Sequence, residues 1–151
     1  MDKMCALIGG RVAEEIINGE PATGALNDLE RLTRMAYNMV QYYGMSEKVG
    51  EISFYDSTGS RGYDLSKPYS EKTAELMDQE VKDLVNEIHD RTLRILTEHK
   101  EGFVQMARLL LEKEVIFAED IERILGPKVK PDEAAEEKTD NEPEKTATED
   151  E

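Results

Sequence analysis

The chain has 151 residues, with 34 acidic and 19 basic side chains, so its formal net charge is −15; this length suffices for one ordinary domain with a real core. An acid-rich chain lacks the basic surface that nucleic-acid backbones require, and no apolar run approaches the roughly 18 residues that a membrane span needs. We therefore expect no nucleic-acid partner and no membrane contact by this segment, and the single cysteine, Cys5, fits a reducing, cytoplasmic compartment for a soluble chain.

Apolar residues at helical spacing predict a first helix over about residues 3–18. The adjacent Gly9 and Gly10 weaken this helix, and such a pair indicates close approach by another backbone. Arg11 and Glu15 fall within the apolar arc one turn apart, so we interpret them as a partly buried pair.

A second helix is predicted over about residues 25–43. The glycine-rich stretch 45–69 is typical of a loop, and the alternation of Ile52 and Phe54 indicates one short strand within it. A third helix begins after Ser70, a good N-cap residue, and extends to about residue 99.

Gly102 is expected to interrupt the chain before a fourth helix, which extends to about residue 113. A short fifth helix over about residues 118–125 is followed by the stop signal Gly126-Pro127. The fold class is therefore an all-α bundle of about five helices, with one short strand. Residues 1–126 form the folded part, and residues 127–151 form a disordered acidic tail that either solubilises the chain or binds a partner.

The residues alone complete no catalytic or metal-binding motif, since HExxH, GxxxxGK[ST], GxSxG and CxxC are all absent. The two histidines, His89 and His99, lie about 15 Å apart along one predicted helix, so they cannot share a metal ion. We interpret both as residues of a polar helix face. Asp28, in the first turns of the second helix, complements the helix dipole, and Glu14 is interpreted as part of a structural ion pair.

Three blocks of sequence carry a resemblance to a known family: MCALIGGRVAEEII at 4–17, ATGALNDLE at 22–30 and GMSEKVG at 44–50. In this order and spacing they resemble the FtsH family of membrane-anchored, ATP-dependent zinc metalloproteases of the AAA+ class. The resemblance continues through YSEKT at 69–73 and LTEHK at 96–100, and it covers about residues 1–126.

The resemblance implies a zinc site whose two histidines lie on an HExxH helix, with the intervening Glu as general base. A distant Asp is the third protein ligand in the family, and its position matches Asp28. The resemblance also implies a carboxylate in the Ala-Glu-Glu stretch that orients a zinc-bound histidine. We match it to Glu14, although helical projection points Glu15 inward more strongly.

The sequence departs from the family because it starts after the place of the HExxH helix and contains neither the ATPase module nor the membrane anchors. We expect a fragment that supplies Asp28 and a helical scaffold to a zinc site completed by missing residues, and that holds no catalytic residue of its own. Alone, it is expected neither to cleave proteins nor to bind zinc tightly. Phe117 also departs from the family pattern, which favours a capping Asp, so fraying of the last helix is expected.

The parent protein is expected to be a homo-hexamer at the cytoplasmic face of the inner membrane. It would use ATP in the absent module to degrade unfolded and membrane proteins. The alternative is a stand-alone helical binding or assembly module without catalytic activity. A weaker third interpretation is an acidic helical adaptor that is unrelated to proteolysis.

Overall fold

The computed structural model describes residues 1–21, 23–55 and 67–127. Helices account for most of this part of the chain, and a 3-10 turn, Thr23–Ala25, joins the first two. The helices are α1 (Asp2–Asn18), α2 (Leu26–Gln41), α3 (Glu71–Glu98), α4 (Lys100–Lys113) and α5 (Ala118–Leu125). The predicted all-α class with five helices is therefore confirmed, and the predicted tail lies outside the described residues from position 128 onward.

The short strand predicted around Ile52 and Phe54 is absent from the described residues. The alternation there has another physical cause: the Phe54 side chain packs toward the core, while Ile52 remains half exposed. The Phe54 amide donates to the Gln41 carbonyl at 2.8 Å, and this contact with the end of α2 fixes the segment without a partner strand.

The first compact unit, Met1–Lys100, has a core in which α1, α2 and α3 pack against one another. On α1 and α2 the buried positions recur every four residues, so each helix presents one apolar stripe to the others. The core residues are Met4, Ile8 and Val12 of α1, Leu32, Ala36 and Val40 of α2, and Met77, Val81 and Ile88 of α3. Burial of each large apolar side chain stabilises the unit by about 1.5–3 kcal/mol.

The glycine pair of α1 does not mark a close approach by another backbone. A Cβ atom built on Gly9 or Gly10 would meet nothing within 4 Å in the described part of the chain. Within the described residues the prediction from this pair is therefore wrong, and α1 packs through the core stripe of Met4, Ile8 and Val12 instead.

The segment between α2 and α3 is fixed to α3 by hydrogen bonds to one carboxylate. The buried Ser46 hydroxyl donates to Glu80 Oε2 at 2.8 Å, and the Lys48 ammonium donates to Glu80 Oε1 at 2.6 Å. The Ser46 oxygen also accepts the Val49 amide at 3.1 Å, so the turn is held at several points.

The second compact unit begins at Glu101, and its described residues contain most of α4 and all of α5. Gly102 lies inside α4, whereas the break between α3 and α4 falls at His99, so the predicted interruption at Gly102 is wrong. Gly102 lies close to α5: a Cβ there would meet the end of the Leu125 side chain, which would have to move to make room. No helix among the described residues is long and apolar enough to cross a bilayer.

Candidate metal ligand at the start of α2

Asp28 lies in the first turn of α2, where a negative charge is stabilised by the partial positive charge of the helix N-terminus. Its side chain is 49% exposed, and the nearest basic group in an ion pair is the Arg31 guanidinium, 4.0 Å from Oδ1. The preceding 3-10 turn contacts α1, so the start of α2 is held against the first helix. The carboxylate is therefore accessible on a fixed helix end.

The donor set fits one ligand of a zinc site and not a whole site. A carboxylate oxygen is an ordinary zinc ligand, and catalytic zinc takes three protein ligands. No group of three or more His, Cys, Asp or Glu side chains in the described part of the chain could hold a metal ion. Asp28 can thus contribute to such a site only together with ligands from other residues.

The two adjacent acids of α1, Glu14 and Glu15, are both half-buried. Glu15 Oε2 lies 2.9 Å from His89 Nε2 of α3, so this carboxylate links two helices. The pairing of Glu15 with Arg11 stays a prediction, and the contact with His89 cannot be read from the spacing along α1. The assignment of Glu14 as a carboxylate that orients a zinc-bound histidine stays a prediction.

His89 is more than a residue of a polar helix face. Its Nδ1 also lies 3.3 Å from Asp90 Oδ1, and its side chain is only 31% exposed. The hydrogen bond to Glu15 raises the pKa of His89 above its ordinary value, with a smaller contribution from Asp90, while partial burial opposes both. The sequence does contain a sign of this contact, because Glu15 falls inside the apolar arc of α1 and a half-buried carboxylate needs a hydrogen-bond donor.

His99, by contrast, is exposed at the C-cap of α3, which agrees with its predicted place on a polar helix face. Neither imidazole belongs to a metal-capable group of side chains in the described residues. The histidine ligands of a zinc site that includes Asp28 would therefore come from elsewhere.

Comparison with known proteins assigns the family. The family model "Peptidase family M41" matches residues 1–124. The chain is 54% identical over 125 residues to the ATP-dependent zinc metalloprotease FtsH of Parabacteroides distasonis, covering 83% of this chain and 18% of that protein. It is 46% identical over 125 residues to the mitochondrial ATP-dependent zinc metalloprotease FTSH 8 of rice (Oryza sativa subsp. japonica), covering 83% and 15% respectively.

A mouse protein, the mitochondrial inner membrane m-AAA protease component AFG3L2, is 46% identical over 128 residues, covering 85% of this chain and 16% of its own length. The chain thus spans less than a fifth of the length of these relatives. The match nevertheless extends over α1 to α4 and nearly all of α5, and it includes the Asp28 segment. The chain belongs to peptidase family M41.

Proposed function

We propose that this chain is part of an ATP-dependent zinc metalloendopeptidase and that Asp28 is the third protein ligand of its zinc ion. The observation that carries the proposal is the accessible Asp28 carboxylate in the first turn of α2, within a chain whose family match covers residues 1–124. The other two protein ligands and the general base would come from residues outside these 151, because this sequence has no HExxH segment.

In the proposed enzyme, the residues of this chain would bind the zinc ion and orient one of its histidine ligands. The buried Leu32, one turn after Asp28, anchors α2 in the core and so limits where the carboxylate can move. Glu14 would accept a hydrogen bond from a histidine ligand and thereby fix its ring orientation. When bound, zinc supplies Lewis-acid activation for peptide-bond hydrolysis. The chain alone would neither cleave proteins nor bind zinc tightly, since one carboxylate is not a site.

Membership of the same family also supports proposals about the activity, the partners and the location of the parent protein. We propose that the parent degrades unfolded and membrane proteins, that it assembles as a homo-hexamer and that it uses ATP in a module outside this sequence. The relatives from Parabacteroides distasonis and Oryza sativa are named ATP-dependent zinc metalloproteases, which supports the use of ATP and zinc, and the mouse relative is named for the mitochondrial inner membrane. A location at the cytoplasmic face of an inner membrane is proposed on the family resemblance alone.

The experiment is a chimera in which residues 1–126 of this chain replace the matching segment of Parabacteroides distasonis FtsH. Asp28→Asn is expected to lower the rate of ATP-dependent degradation of an unfolded protein at least about 100-fold, because the site loses a ligand. Glu30→Gln is the matched control, since Glu30 is an exposed acid of the same helix that pairs with Arg34 at 2.6 Å. It is expected to leave degradation unchanged.

ATP hydrolysis by both variants should equal that of the parent chimera, and this shows that the assembly is intact. Undiminished degradation by the Asp28→Asn chimera would contradict the proposed ligand role. That result would favour the alternative of a helical binding or assembly module.

A further inference from the structure

A small polar cluster links α1 and α3 in the first unit. Glu15 extends from α1, and His89 and its neighbour Asp90 extend from α3. Glu15 Oε2 lies 2.9 Å from His89 Nε2, and Asp90 Oδ1 lies 3.3 Å from His89 Nδ1. Each ring nitrogen therefore has a carboxylate oxygen within hydrogen-bonding distance.

The number of hydrogen bonds that this cluster can make depends on whether His89 is protonated. A carboxylate can only accept, and a neutral imidazole carries one N–H, so neutral His89 can donate to one of its two carboxylates. The imidazolium form carries two N–H groups and donates to both. In the imidazolium form each hydrogen bond also joins a cation to a carboxylate anion, so charge attraction strengthens both bonds. The geometry thus suits the protonated ring better than the neutral ring.

We propose that Glu15, His89 and Asp90 form a protonation-dependent tie between α1 and α3, which strengthens as the pH falls from about 8 to about 6. The hydrogen bonds of the tie involve Glu15, His89 and Asp90, and not Asp28, the proposed metal ligand. The inference therefore does not rest on the proposed protease function, and each can fail without the other.

The charges around the ring set the pH range of the tie. Glu15 from α1 and Asp90 from α3 act on the imidazole, and no α2 group in the described residues does so. The pKa of folded His89 is raised above its ordinary value, first by the Glu15 hydrogen bond. The tie's stabilisation is therefore fully present below about pH 6.5, the value of an unperturbed histidine, and is lost as pH rises through the higher folded pKa.

The test uses the full 151-residue chain, with urea unfolding measured between pH 5.5 and 8.5. The measured quantity is the unfolding equilibrium constant of His89→Gln divided by that of the unsubstituted chain. We expect this ratio to be about three- to tenfold larger at pH 5.5 than at pH 8.5. His99→Gln is the matched control, because it makes the same change at the exposed C-cap of α3. Its effect should be the same at both pH values.

A second measurement follows the ring protons of His89 by NMR across the same pH range. We expect a titration midpoint above that of the urea-unfolded chain, and Glu15→Gln should lower this midpoint while Asp90→Asn lowers it less. A His89 midpoint equal to that of the unfolded chain would overturn the proposal. So would a His89→Gln effect that does not change with pH, or a midpoint that Glu15→Gln leaves unmoved.

Discussion

At the scale of single residues, Glu80 determines how the segment after α2 is held. Its side chain is 13% exposed, and it accepts hydrogen bonds from Lys48 and Ser46. These bonds, the Lys48 one first, hold the pKa of Glu80 below its ordinary value, against the opposing effects of partial burial and of the nearby Asp83. A carboxylate with a lowered pKa stabilises the folded state while it is ionised.

We predict that Glu80→Gln lowers the free energy of unfolding by about 1 kcal/mol at pH 7, a modest value because the Lys48 ammonium is exposed to solvent. The contribution is present above the unfolded pKa of about 4.3 and is lost as pH falls through the lower folded pKa. The difference from the unsubstituted chain should therefore shrink between pH 5 and pH 3 in urea unfolding.

Glu75→Gln is the control for this prediction, because Glu75 is an exposed acid of the same helix. It should change the unfolding free energy by less than about 0.5 kcal/mol at either pH. A Glu80→Gln effect that stays constant down to pH 3 would show that the loss comes from packing and not from charge.

Single residues also show how far the sequence alone could lead to the site. Asp28 could be placed on the first turn of a helix from its position in the chain, but only the family resemblance marked it as a ligand. Glu15 lay within an apolar arc, so its need for a partner could be seen in advance. The partner could not, because His89 lies 74 residues away and is brought close only by the packing of α1 on α3.

At the scale of helices, the N-terminus of α5 shows one residue compensating for another. Phe117 occupies the N-cap position and makes no side-chain capping bond, which agrees with the cap predicted to be absent there. Asp120 compensates by accepting the Phe117 amide at 3.2 Å, and it also accepts from Lys113 at 3.1 Å and Arg123 at 2.9 Å. The start of α5 is thereby fixed to the end of α4. These same bonds, led by that from the Phe117 amide, lower the pKa of Asp120.

We predict that Asp120→Ala speeds amide hydrogen exchange throughout α5 about fivefold or more, since the helix start loses its acceptor. Glu119→Ala removes an exposed acid from the same first turn and should have a smaller effect. Equal exchange in the two variants would mean that the Asp120 bonds do not hold the helix end.

The helices themselves were predictable where apolar spacing was regular, as in α3 with Ser70 as its N-cap. Glycines were less informative because their role depends on what lies opposite. Gly9 and Gly10 face open space, whereas Gly102 faces Leu125 across a helix pair. Spacing along the chain contains no information about such distant neighbours.

At the scale of the whole molecule, the described residues form two compact units that meet in sequence near residue 100. The predicted boundary at residue 126 between folded part and tail stays a prediction. Several apolar side chains of the first unit are exposed, among them Leu26 at 75% and Tyr43 at 69%. Single exposed apolar side chains are normal on a protein surface, so these exposures by themselves indicate no partner.

We propose that one acid of this chain, Asp28, completes a zinc site whose other ligands lie outside these 151 residues. Zinc per protomer, measured by mass spectrometry after equilibration with limiting zinc, tests it most directly. We predict about one zinc ion per protomer in the chimera, at least about tenfold less in its Asp28→Asn variant, and almost none in the 151-residue chain alone. Full zinc occupancy in the Asp28→Asn chimera, or tight binding of one zinc ion by the chain alone, would contradict the claim.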